Sequence, residues 1–232
     1  MKILAVICAR GGSKRIPKKN VKLLAGKPLI AYTIETAKMC NFIDRVVVST
    51  DDEEIAEVSR KFGAEVPFVR PKELADGKVS RWTVLQHAVK YLQEIENYFP
   101  DVVIDLSPTA PLRQKEDIEA ALEKMIKEEV DVVTTAYESD KNPYYNMVEL
   151  ENGRAHLSKI PQEKITQTQD APKVYSLNDA INVVRRGALL NSEMLLANKN
   201  ITISVMPRER SIDVDEMFDF EVAEFIIKNK NR

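Results

Sequence analysis

Arg10, Lys14, Arg15, Lys18 and Lys19 fall within ten residues near the start of the chain, and no acid interrupts them. Gly11 and Gly12 stand among them, and glycines let backbone amides come close to an anion. That combination suits a polyphosphate. The loop lacks the Gly-Lys-Ser or Gly-Lys-Thr ending of a Walker loop and the glycine spacing of a dinucleotide-binding turn. A solvated basic turn is the alternative reading. Far along the chain, Ser211-Ile212-Asp213-Val214-Asp215 alternates acid with apolar residue. In an extended segment both carboxylates then project to one side, an arrangement suited to a magnesium ion that completes its shell with phosphate oxygens. The alternative is that Asp215 caps the last helix. His87 and His156 have no partner at nucleophile or metal spacing, Trp82 reads as packing, and Tyr144-Tyr145 reads as interface.

The elements around these residues alternate. Ile3 to Cys8 is a continuous apolar run ending in the basic loop, as in a strand buried on both faces of a parallel sheet with its ligand loop at the carboxyl end. Further strands are expected at 45–49, 65–68, 102–106 and 130–136. Helices are expected after Pro28, after Asp51-Asp52, over 84–95 and over 118–126. This βαβ rhythm predicts a mostly parallel sheet with helices on both faces. It breaks between Glu138 and Tyr175, where Asn152-Gly153 between short apolar runs signals a hairpin. So small an excursion buries little of itself, so a second subunit is its expected support. Strands at 175–184 and 201–206, a helix at 188–196 and a last helix carrying Phe218, Val222, Phe225 and Ile226 complete the chain. One domain over 1–232 is expected, with 138–175 as an inserted arm.

With 30% charged residues, 44% hydrophobic residues and a formal net charge of −2, the composition suggests neither disorder nor broad attraction to nucleic acid. No apolar run reaches bilayer length and no signal-type segment precedes Ile3, so no membrane association and a cytoplasmic location are expected. Cys8 and Cys40 lack metal or redox spacing.

Several stretches in fixed order resemble the acylneuraminate cytidylyltransferase family, the CMP-sugar-acid synthetases. Ala9 to Asn20 is similar to its nucleotide-binding signature. Ser49-Thr50-Asp51, Arg70 to Leu74, Ser107 to Arg113, Asn178-Asp179-Ala180 and Ser211 to Asp215 follow at family-like positions. The resemblance implies a Rossmann-like nucleotidyltransferase fold, a magnesium-dependent reaction with CTP, and a homodimer joined by the arm. It implies that Arg10, Gly11, Gly12, Ser13, Lys14, Lys19 and Asn20 bind the nucleotide, that Arg70 and Ser80 lie toward ribose and base, and that Asp213 and Asp215 hold magnesium. Lys14, Lys19 and Asp215 would carry catalysis, and Ser107, Thr109 and Asn178 the acceptor. An anomeric hydroxyl of a sugar acid would attack the α-phosphorus of CTP and release pyrophosphate.

The departures fall on the acceptor side. Sialic-acid members usually have Gln at the position of Ser107, Gly at that of Asp179, and arginines near Thr168 and Ser176. Ser and Thr cannot reproduce an arginine's bidentate grip on a carboxylate, so a different nonulosonic acid, or different cations, are expected. The wording of Arg15-Ile16-Pro17 and Glu65 to Phe68 leans toward pseudaminic-type acceptors. Two further readings are another nucleotide or sugar on the same fold, which faster turnover with UTP or GTP would favour, and a non-catalytic nucleotide-binding protein, which CTP binding without turnover would favour.

Overall fold

The computed structural model describes residues 1–161 and 163–229. In chain order it forms β1 (Ile3–Cys8), β2 (Leu23–Leu24), β3 (Lys27–Pro28), α1 (Leu29–Lys38), β4 (Arg45–Ser49), α2 (Glu53–Lys61), α3 (Arg81–Glu96), β5 (Val102–Leu106), α4 (Lys115–Glu128), β6 (Val132–Glu138), β7 (Val148–Glu151), β8 (Arg154–Leu157), β9 (Tyr175–Arg185), α5 (Arg186–Asn191), β10 (Ile201–Val205) and α6 (Met217–Asn229). Six strands make the central sheet in the order β10-β6-β9-β5-β1-β4. β1 pairs parallel with β4 and β5, and β10 with β6, whereas β9 runs antiparallel between β5 and β6.

The antiparallel strand follows from what precedes it. Among the described residues no α-helix separates β6 from β9, only a 3-10 turn at Thr168–Asp170, so no helical crossover brings β9 in parallel; Glu138 instead pairs with Tyr175, and the arm is the tip of one long β6–β9 hairpin. Within the arm, among the described residues, β7 and β8 pair only with each other and are almost wholly exposed.

Strand side chains alternate between two cores. Ala5, Ile7, Val48 and Ile104 pack with Ile30 and Ile34 of α1, Ile55 of α2 and Ile118 of α4. Leu4, Val6, Val47 and Val103 pack with Trp82, Leu85 and Leu92 of α3 and Leu189 of α5. Local signals set the helix ends: Asp52 caps α2 by accepting from the Ile55 amide at 3.0 Å, and Gly63 follows α2 at φ +86°.

Three expectations are corrected. The strand at 65–68 is a single parallel bridge from Glu65 to Val47; Pro67 has no amide to extend a ladder. β6 begins at Val132 because Glu129 closes α4 in a left-handed conformation. The helix over 188–196 is split: α5 ends at Asn191, and a 3-10 turn spans Leu195–Ala197. No helix among the described residues is long and apolar enough to cross a membrane.

Candidate active site

A small third core explains how the basic loop reaches an acidic segment almost two hundred residues away. Ile16 from the loop and Val214 from between the two aspartates are both buried, packed with Leu24, Leu29, Phe220 and Ala223. Burying side chains of this size contributes roughly 1.5–3 kcal/mol each. The Val214 amide donates to the Thr109 carbonyl at 2.8 Å. Lys19, its side chain 12% exposed, donates through Nζ to the Val214 carbonyl at 2.6 Å and lies 3.3 Å from Asp215 Oδ1. Loop, acidic segment and the turn after β5 are thus one unit.

That unit walls a cavity of about 330 Å³, lined among others by Arg10, Ser13, Lys19, Asn20, Ser107, Thr109, Asp213 and Asp215. Asn20 is buried and its amide donates to the Arg10 carbonyl at 3.1 Å. Thr109 Oγ1 donates to Asp213 Oδ1. Burial pushes the Asp213 carboxyl above the ordinary carboxylate range; the Thr109 hydrogen bond opposes this and the neighbouring Asp215 charge adds to it. Asp215 accepts from Lys19 and pairs with Arg15 Nη1 at 3.3 Å. The helix-cap alternative for Asp215 is not what the structure contains: the Asp219 carboxylate accepts from the amides of residues 215 and 216, at 3.0 and 2.8 Å.

The donor set fits magnesium. Two carboxylates, those of Asp213 and Asp215, flank the buried Val214 and line the smaller cavity. A hard ion that takes one or two carboxylates and completes its shell with phosphate and water matches that count.

A second cavity of about 620 Å³ adjoins the first, and Asp179 and Asp213 line both. Its wall is a β-bulge. β6 and β9 lose register between Thr134 and Ala136, so Asn178 to Ile181 face the single Thr135. The Thr135 hydroxyl fills the gap by donating to Asn178 Oδ1 at 2.6 Å and accepting from the Ile181 amide at 3.0 Å. Asp179 sits at the apex with φ +50°, a left-handed conformation that Asp adopts more readily than most residues.

Not every expected residue lines a cavity. Gly11 is held under the loop: its amide donates to Asp51 Oδ1 at 3.1 Å, and a Cβ there would meet Asp52 Oδ2 at 2.5 Å. Gly12 is exposed, and a Cβ there would meet nothing within 4 Å. Lys14 is exposed and pairs with no carboxylate among the described residues. Arg70 is buried, donating through Nε to Ser49 Oγ at 3.1 Å and to the Ser49 carbonyl, and burial holds its pKa below that of a free guanidinium. Ser80 caps α3, accepting from the Thr83 amide at 3.2 Å. Asn178 lines the larger cavity with its amide engaged by Ser211 Oγ at 2.9 Å. Trp82 is core, donating to carbonyls of Leu189 and Ser192.

Sequence reasoning missed Arg81 and Asp105. Arg81 lines the smaller cavity, pairs with buried Asp105 at 3.5 Å and reaches Ser107 Oγ at 3.4 Å. The Asp105 carboxylate holds it firmly in its charged form. An arginine behind a cap serine carries no signal of its own; an aspartate inside the apolar strand Val-Val-Ile-Asp-Leu was the available clue.

Comparison with known proteins gives this geometry its context. The sequence model of the cytidylyltransferase family matches residues 4–202. The CMP-N,N'-diacetyllegionaminic acid synthase of Campylobacter jejuni is 36% identical, over 99% of this chain and 96% of that protein. The pseudaminic acid cytidylyltransferase of the same species is 37% identical, over 98% of this chain and 97% of that protein. A solved structure of CMP:2-keto-3-deoxy-manno-octonic acid synthetase complexed with CTP superimposes with a TM-score of 0.74 at 21% identity, covering 99% of this chain and 100% of that one. The fold is therefore the Rossmann-like nucleotidyltransferase fold, and the chain belongs to the cytidylyltransferase family.

Proposed function

We propose that the protein transfers CMP from CTP to a nonulosonic sugar acid and releases pyrophosphate. The observation that carries this reading is the junction of a cation-lined cavity with a larger one at Asp179 and Asp213. The anomeric hydroxyl oxygen bonds to the α-phosphorus, the bond from that phosphorus to pyrophosphate breaks, and the hydroxyl proton is lost.

Arg10, Ser13, Lys14 and Lys19, with the amides of Gly11 and Gly12, hold the triphosphate and offset the charge that grows on the leaving group. Exposed Lys14, with no carboxylate partner among the described residues, is free to turn to phosphate. Gly12 supports the same reading: its φ is not left-handed and no protein atom requires its missing side chain, but a phosphate approaching the backbone would. Asn20 keeps the loop closed through the Arg10 carbonyl. Arg70 and Ser80, behind the smaller cavity, shape the nucleoside end. Ser107 and Thr109 face the reacting groups, and Asn178 braces the bulge beside the acceptor. Asp213 and Asp215 would hold magnesium, which supplies Lewis-acid stabilisation of phosphate charge when bound. Lys19 keeps the two carboxylates in register through the Val214 carbonyl.

The protein would act as a homodimer of single-domain subunits joined by the 138–175 arm, in the cytoplasm, where CTP is available and thiols such as Cys8 and Cys40 stay free. Asp215→Ala tests the core of this scheme. Metal-dependent CMP-sugar formation should fall at least 100-fold with thermal unfolding unchanged, and retained activity would remove Asp215 from the scheme.

A further inference from the structure

We infer that Arg208 is the cation that grips the acceptor's carboxylate, and that Asp140 at the root of the arm holds it only until the acid arrives; this rests on the proposed function. The larger cavity is strongly acidic. Asp179, Glu209, Asp213 and Asp219 line it, and among the described residues Arg208 is the one cation in its lining. Asp213 is committed to the proposed magnesium and Asp219 to the amides of residues 215 and 216, so an entering carboxylate meets Asp179 and Glu209 as repelling side chains and Arg208 as the attracting one, and Arg208 fixes which way round the sugar acid lies.

The backbone beneath Arg208 is rigid. Arg210, two residues on, pairs with the buried Asp117 at 2.8 Å and donates to Gln114 Oε1 at 3.3 Å. Ser211 Oγ donates to the Pro207 carbonyl at 2.9 Å and accepts from the Asn178 amide at 2.9 Å. The turn is therefore clamped to the start of α4 and to the β9 bulge. The guanidinium, in contrast, is held loosely. Its partner is Asp140 at 3.5 Å, and the two side chains are 66% and 50% exposed, the kind of surface pair that a better-placed carboxylate displaces. Arg81 cannot take this part, because its charge is already committed to the buried Asp105. A guanidinium presents two parallel N–H donors to a carboxylate, which a lysine cannot reproduce.

The test is steady-state kinetics on the full chain at saturating CTP, with N,N'-diacetyllegionaminic and pseudaminic acids and their C1 amides as acceptors. Arg208→Ala should raise the acceptor KM about 10- to 100-fold, leave the CTP KM within about twofold, and erase most of the wild-type preference for acid over amide; Arg208→Lys should recover part of that preference. An unchanged acceptor KM, or an acid-over-amide preference equal to that of wild type, overturns the assignment of Arg208 while leaving the proposed function standing. Wild-type protein that turns over neither acid overturns both.

Discussion

Adjacent glycines in the basic loop stand in different surroundings. Gly11 is fixed by protein contacts, since a Cβ would strike Asp52, the cap of α2, whereas Gly12 faces open space. Gly11→Ala should therefore lower thermal stability by roughly 1–2 kcal/mol through the strained contact. Gly12→Ala should leave unfolding unchanged and weaken CTP binding, measured by calorimetry, about 5-fold or more. Equal effects of the two substitutions on both readouts would contradict this. Arg81 makes a second case. Removing it leaves the buried Asp105 with the Asn182 amide, 3.0 Å away, as its one side-chain hydrogen-bond donor among the described residues. Arg81→Ala should cost roughly 3 kcal/mol in denaturant unfolding, the low end for breaking a buried pair because the arginine is 38% exposed. The basic loop and the Asp213-Asp215 pair were legible because like charges cluster there without relief. Arg70 was not readable as an anchor, because its burial against Ser49 depends on the return of the chain after α2, which no local pattern announces.

At the level of elements, most strands and helices were legible from continuous apolar runs or helical spacing, and α2 also from its Asp52 cap. The place of β9 was not. Its sequence reads like any buried strand, and its antiparallel direction comes from the missing crossover helix rather than from its own residues. The two-residue strands β2 and β3 were likewise too short to carry a period. Together with Ile16, Val214 and Phe220, Leu24 and Leu29 around them build the core that joins the two halves of the site. Ile16→Ala should lower stability by roughly 2–4 kcal/mol and reduce turnover further than Ala substitution at a comparable buried position remote from the site, such as Ile34. Equal turnover in the two variants at a temperature where both are folded would mean that this core supports the fold without aligning the site.

On the scale of the whole molecule, the arm is the part that the monomer does not explain. Leu150 and Ile160 are 77% and 89% exposed, and among the described residues the β7–β8 hairpin pairs with no strand of the central sheet. An isolated two-stranded hairpin is marginal in water, and the proposed homodimer would cover it. Replacing residues 147–158 by a short Gly-Ser turn should convert a dimer to a monomer in light scattering without lowering the unfolding temperature of the α/β body; a dimer that persists would place the interface elsewhere. In the proposed reaction the two adjoining cavities take CTP and a sugar acid for one displacement. Pyrophosphate release is its most direct test, followed with each of CTP, UTP, GTP and ATP against N,N'-diacetyllegionaminic, pseudaminic and N-acetylneuraminic acids, with and without magnesium. Release should require CTP, magnesium and a sugar acid together, fastest with one of the first two acids and slower with N-acetylneuraminic acid. Absence of release with CTP and every acid, or faster release with another nucleotide, would contradict it.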